Sequence, residues 1–139
     1  MKTKHILVFA LCLATLVLCL VSCGDGIDMG EAESFVSEFF DAVGRGDTET
    51  ANTYLHPDVP LQLDAYLEDV AQEYGISFEE GITVEHRTGL SYAYYDSRVG
   101  GSLYEQRLRA KIGNTSVYIT VEVVKNEAGY GIYNLDIYT

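Results

Sequence analysis

Acid–base catalysis needs a carboxylate or an imidazole in apolar surroundings, with its proton affinity moved toward the working pH. In this 139-residue sequence Asp64 and His86 are the two candidates for that role. Neither has a paired acid or donor at a spacing that defines a catalytic set. The favoured expectation is therefore that Asp64 lies on the exposed side of a helix and His86 on a sheet edge. His56 and His86 are too isolated for a metal site, with no second ligand at a recognised spacing. Asn114-Thr115-Ser116 matches a glycosylation acceptor but falls inside a tight turn, where it carries no weight. There is no phosphate loop, nucleophile elbow or Cys/His pair, and no cofactor is implied.

Eleven tyrosines invite a ligand-box reading. Tyrosine is also an ordinary strand residue with an apolar body and a polar tip, so core and rim packing is the better expectation. Arg107, Arg109 and Lys111 alternate along one strand and could meet an acidic partner. A solvated outer face that offsets Glu105 and Glu122 is preferred.

Nine Lys and Arg stand against 21 Asp and Glu, a net charge of −12. Nucleic-acid binding depends on basic residues neutralising phosphates, so this balance excludes it as an expected partner. The acids are scattered and suit a soluble, self-repelling surface better than a dedicated cation site.

The N-terminus carries a different signal. Lys2 and Lys4 precede residues 6–21, which are apolar apart from Thr15, and the run closes on Leu20-Val21-Ser22-Cys23. This is the layout of a secretory leader, and it is slightly short for a spanning helix. The last four residues resemble the lipobox of bacterial lipoproteins. That resemblance implies diacylglyceryl attachment to the Cys23 sulfur and cleavage before it. A doubly or triply acylated Cys23 would hold the chain on the membrane without a span. Asp25 resembles an inner-membrane retention signal where the host is an enteric-type Gram-negative cell.

The chain accordingly divides into a leader at 1–22, the lipidated Cys23 with a glycine-rich tether to residue 30, and one domain at 31–139. The other cysteines, Cys12 and Cys19, lie in the leader, so the domain is expected to fold without disulfides. Loss of the leader removes Lys2 and Lys4 and no acid, which leaves a charge of −14.

Within the domain, helices come first. Ala32, Phe35, Val36, Phe39, Phe40 and Val43 recur at helical spacing and form one apolar stripe. Gly44-Arg45-Gly46 stops that helix, and Asp47 caps a shorter one with Ala51, Tyr54 and Leu55 inward. A third helix is expected over residues 60–74, with Leu63, Tyr66, Leu67, Val70, Ala71 and Tyr74 inward and Gly75 as its stop.

Strands follow. Residues 82–95 are rich in β-formers, with Gly89 as a possible bulge. Residues 103–112 and 115–125 flank Gly113-Asn114, a two-residue hairpin turn. That turn sets Leu108 opposite Ile119, Ala110 opposite Val117 and Tyr104 opposite Val123 on one face. A last strand at 130–138 should add Tyr133, Leu135 and Ile137 to that buried face. The fold class is α+β: N-terminal helices packed on a curved antiparallel sheet.

Phe35-Val36-Ser37-Glu38-Phe39-Phe40-Asp41-Ala42-Val43, then Gly46-Asp47 and the stretch through Ala51 to Tyr54-Leu55-His56-Pro57, resemble the N-terminal pattern of the nuclear-transport-factor-2-like superfamily. The closing strands, residues 117–124 and 131–137, resemble its final hairpin. Its usual tryptophan is absent, and Tyr133 is the substitute. The resemblance implies a cone-shaped fold shared with ketosteroid isomerases and limonene epoxide hydrolases, with a pocket between helices and sheet. Gln106, between Tyr104 and Leu108 and opposite Val121, should face that pocket and need a hydrogen-bond partner. Tyr104, His86, Tyr92, Tyr94, Tyr54 and Tyr66 are the other residues expected to approach it.

The leading expectation is an extracytoplasmic, membrane-tethered lipoprotein that binds a small ligand or a cell-envelope protein without catalysis. The rivals are a small isomerase- or hydrolase-type enzyme using Asp64 or His86 with a pocket tyrosine, and a homodimeric structural subunit.

Overall fold

A computed structural model describes residues 26–59 and 61–139. The leader, Cys23 and Pro60 lie outside the described residues.

Helix α1, Met29–Gly44, starts where the Asp28 carboxylate accepts the Glu31 N–H at 2.8 Å. Such a cap satisfies one of the N–H groups that a first turn leaves without a partner. Its stripe buries Ala32, Val36, Phe39, Phe40 and Val43, with Phe35 at the margin. Gly46, at φ +70°, turns the chain out of the helix, and Asp47 caps α2, Thr48–Asn52, by accepting the Thr50 N–H at 3.1 Å. The chain leaving α2 pairs with a later strand: Ile132 N–H donates to Tyr54 O and His56 N–H to Ile132 O. Helix α3, Leu63–Tyr74, begins three residues later than the pattern predicts and ends at Gly75, φ +63°. Leu63, Leu67 and Val70 are buried, while Tyr66, Ala71 and Tyr74 are only partly covered. A 3₁₀ turn, Phe78–Glu80, leads into the sheet.

The sheet has five antiparallel strands: β1, Ile82–Arg87; β2, Tyr92–Asp96; β3, Gly101–Ile112; β4, Thr115–Asn126; and β5, Gly129–Tyr138. β1 and β2 lie end to end along one side of β3, and β4 and β5 follow on the other. The β3–β4 register is the one that the Gly113-Asn114 turn demands, including Leu108 opposite Ile119 and Tyr104 opposite Val123. The helices cover one face, where Tyr104, Leu108, Ala110, Val117, Ile119 and Val121 complete the core. The architecture is α+β, with helices packed against an antiparallel sheet.

Two bulges change which side chains reach that face. Residues 82–95 form two strands rather than one, because Gly89, at φ +78°, sits in the break between them. The bulge lies earlier, at Glu85, between the pairs Val84–Ala110 and His86–Arg109. A second interrupts β5 at Tyr133: Glu122 pairs with Asn134, but Val123 pairs with Ile132. Ile132 is therefore the core residue, fully buried, and Tyr133 is the extra one, only partly buried. Alternation has period two, so one inserted residue exchanges the faces of everything beyond it.

Candidate functional site

A slot of about 170 Å³ lies between α1 and the β1–β3 edge of the sheet. Val36 and Phe40 of α1, Val84 of β1 and Leu108 of β3 supply apolar walls. Gln106 borders it from β3, with only 4% of its surface exposed. Among the described residues its Oε1 is buried without a hydrogen-bond partner. At the mouth stand Ser37, Glu33 and Arg87, the last two joined by a two-pronged ion pair. The Tyr104 hydroxyl also donates to Glu33 Oε1 at 3.4 Å, and burial pushes its phenol above the ordinary tyrosine range.

The geometry suits binding better than proton transfer. Both Glu33 oxygens are engaged by one guanidinium, and one of them also receives Tyr104, so this carboxylate is not presented as a free base. The unsatisfied group is instead a neutral carboxamide. A buried polar atom without a partner is uncommon and costs about 1–3 kcal/mol, which a bound molecule can recover.

Of the candidate site residues read from the sequence, Gln106 alone lines this slot. Tyr104 stands next to it in the core. His86 is exposed and pairs with Arg109 on the face away from the helices, because the Glu85 bulge exchanged its orientation with that of Arg87. Arg87 pairs with Leu108 and so reaches the slot. Asp64 is exposed in the first turn of α3. Tyr92 and Tyr94 pair with Glu105 and Leu103, which puts both on the outer face, with ring centroids 5.5 Å apart. Tyr94 is raised chiefly by burial and next by Asp96. Tyr54 donates to Glu38 at 3.1 Å and stacks edge-on with Phe35. The Tyr66 hydroxyl accepts the Ile137 N–H at 2.9 Å, tying α3 to β5. None of these four tyrosines borders the slot.

Sequence reasoning missed Glu33 and Arg87. Glu33 reads as an ordinary acid near the start of α1 and off its apolar stripe, and Arg87 becomes visible only once the bulge is known. His56 has a role that its isolation concealed. It is 2% exposed, and its Nδ1 accepts the Asp58 N–H at 3.1 Å. The ring proton is then on Nε2, which donates to Asn126 Oδ1 at 3.0 Å and Gly129 O at 3.2 Å. Asn126 in turn donates to Val99 O at 2.8 Å, so three loops are pinned at one point. Tyr130 carries another buried hydroxyl without a partner among the described residues, its pKa pushed up to about 12 by burial and then by Glu31 and Asp28. Among the described residues no cluster of His, Cys, Asp and Glu could hold a metal ion. No described helix is long and apolar enough to cross a membrane.

No protein-family model, curated protein or solved structure matches this chain.

Proposed function

We propose that this chain is a lipid-anchored, extracytoplasmic binding module: a bacterial lipoprotein whose nuclear-transport-factor-2-like cone domain takes a small ligand without transforming it. The observation that carries the binding role is Gln106, a buried carboxamide with an unpartnered oxygen at the edge of an apolar slot. The two residues that could have served as a general base, Asp64 and His86, are both exposed and away from that slot, which favours binding over turnover.

The anchor is Cys23, at the end of an apolar leader with a basic start. Helix α1 begins six residues later, at Met29, so the connecting chain spans at most about 20 Å. The domain would work close to the outer side of the cytoplasmic membrane. Its acidic balance disfavours a second, polybasic contact with anionic lipid.

Each half has its own test. Cells grown with labelled palmitate should label the wild-type chain and leave Cys23→Ala unlabelled and released from the membrane; equal labelling would sink the anchor. The full chain in detergent should gain thermal stability with small neutral hydrogen-bonding ligands, and Gln106→Met should weaken that response. An unchanged response in the variant would remove the slot as the binding site.

A further inference from the structure

Three properties of the slot restrict what can occupy it. Its volume, about 170 Å³, lies below the ~300 Å³ at which pockets begin to enclose whole drug-sized molecules. It can therefore take a functional group together with a short apolar stub, the rest of the molecule staying outside. The mouth is electrically balanced, because Glu33 and Arg87 already neutralise each other. A ligand anion would face Glu33 in a chain that is already at −12, and a ligand cation would face Arg87.

The third property is the hydrogen-bonding edge. A carboxamide carries an acceptor and a donor side by side in one plane, and rotation about its terminal bond brings either to the slot. The group that satisfies it best is neutral, planar and likewise carries both. Arg87 adds to this: two of its five N–H groups serve Glu33, and the others are available to a carbonyl oxygen. Val84, 43% exposed on β1, offers an uncovered apolar surface to the stub.

We infer that the slot recognises a secondary amide, an N-acyl group or a peptide unit, with its N–H and C=O shared between Gln106 and Arg87 and its apolar substituent against Val84 and Phe40. The inference rests on the reading of the slot as a ligand site. Two sources offer this chemistry at a cell envelope: the acetamido group of an amino sugar and the backbone of a short peptide.

The test uses the ¹⁵N-labelled full chain in detergent micelles, read from the Gln106 side-chain NH₂ signals and, in the Gln106→Met variant as well, from the Val84 and Leu108 backbone amide signals. N-ethylacetamide and ethyl acetate have nearly the same shape, but the ester lacks the N–H. The amide should move the Gln106 signals and bind at least tenfold more tightly, the effect of one hydrogen bond to a buried group. Gln106→Met should weaken the amide about tenfold and leave the ester unchanged. N-acetylglucosamine and N-acetylalanine methylamide then distinguish the sources, and tighter binding of either identifies the one used. If the ester perturbs the slot as tightly as the amide, the amide inference is overturned and the slot stands as a general small-ligand site. If no probe perturbs Gln106, Val84 or Leu108, the ligand-binding reading falls with it.

Discussion

Gln106→Met should make the empty protein more stable while weakening its ligand binding. In the wild type the Gln106 oxygen is buried and lacks a hydrogen bond among the described residues, in a residue that is 4% exposed. An unsatisfied buried acceptor costs about 1–3 kcal/mol. Methionine has nearly the same length and volume, so replacement opens no cavity, and volume-conserving swaps cost less than about 1.5 kcal/mol. The neighbours that would receive the thioether, Val36, Phe40 and Leu108, are all apolar. The net expectation is a gain of about 1–2 kcal/mol, or a rise in Tm of about 4–8 °C for a domain near 110 residues. Urea unfolding of the full chain in detergent, followed by tyrosine fluorescence because the chain has no tryptophan, measures the gain. With m at about 2 kcal/mol/M, the midpoint should rise by roughly 0.5–1 M at unchanged slope. A midpoint equal to or below that of the wild type would refute the reasoning, since the amide would then be satisfied in the empty protein and the slot would hold no unmet demand.

Glu122 faces Glu105 directly across β3 and β4, and burial followed by that neighbour raises its carboxyl above the ordinary glutamate range. A raised folded value means that the native state holds this proton more tightly than the unfolded chain does. The cost is thus present at neutral pH and fades as pH falls through the ordinary range near ~4.3. Glu122→Gln should gain about 0.5–1 kcal/mol at pH 7 and lose that advantage at pH 4, as read by paired denaturation curves. His56→Ala should cost about 2–4 kcal/mol, because it empties a buried site, leaves the Asp58 N–H without its acceptor and removes the imidazole donor to Asn126 Oδ1 and Gly129 O. Calorimetry would show that loss as a large drop in Tm, and a change of under 1 °C would contradict the pinning role.

The elements themselves were legible in the sequence because each is specified by local chemistry. The stripe from Ala32 to Val43 can be satisfied only by a helix with one buried face, and Asp47 sits where a cap is needed. Gly113, at φ +58°, makes the tight turn that determines eleven cross-strand pairs at once. Gln106 followed from the same register: lying between Tyr104 and Leu108, it had to point inward.

The composition of the slot was set elsewhere. Two inserted residues, Glu85 and Tyr133, reverse the alternation on either edge of the sheet, and neither carries a local mark that separates it from its neighbours. The first turns His86 outward and Arg87 inward, where Glu33, more than fifty positions earlier, meets it. The turn and the alternation state which faces exist. Only the packing of α1 against the β1–β3 edge decides which side chains share them, because a bulge forms where the surrounding contacts outweigh the ladder bonds it disrupts.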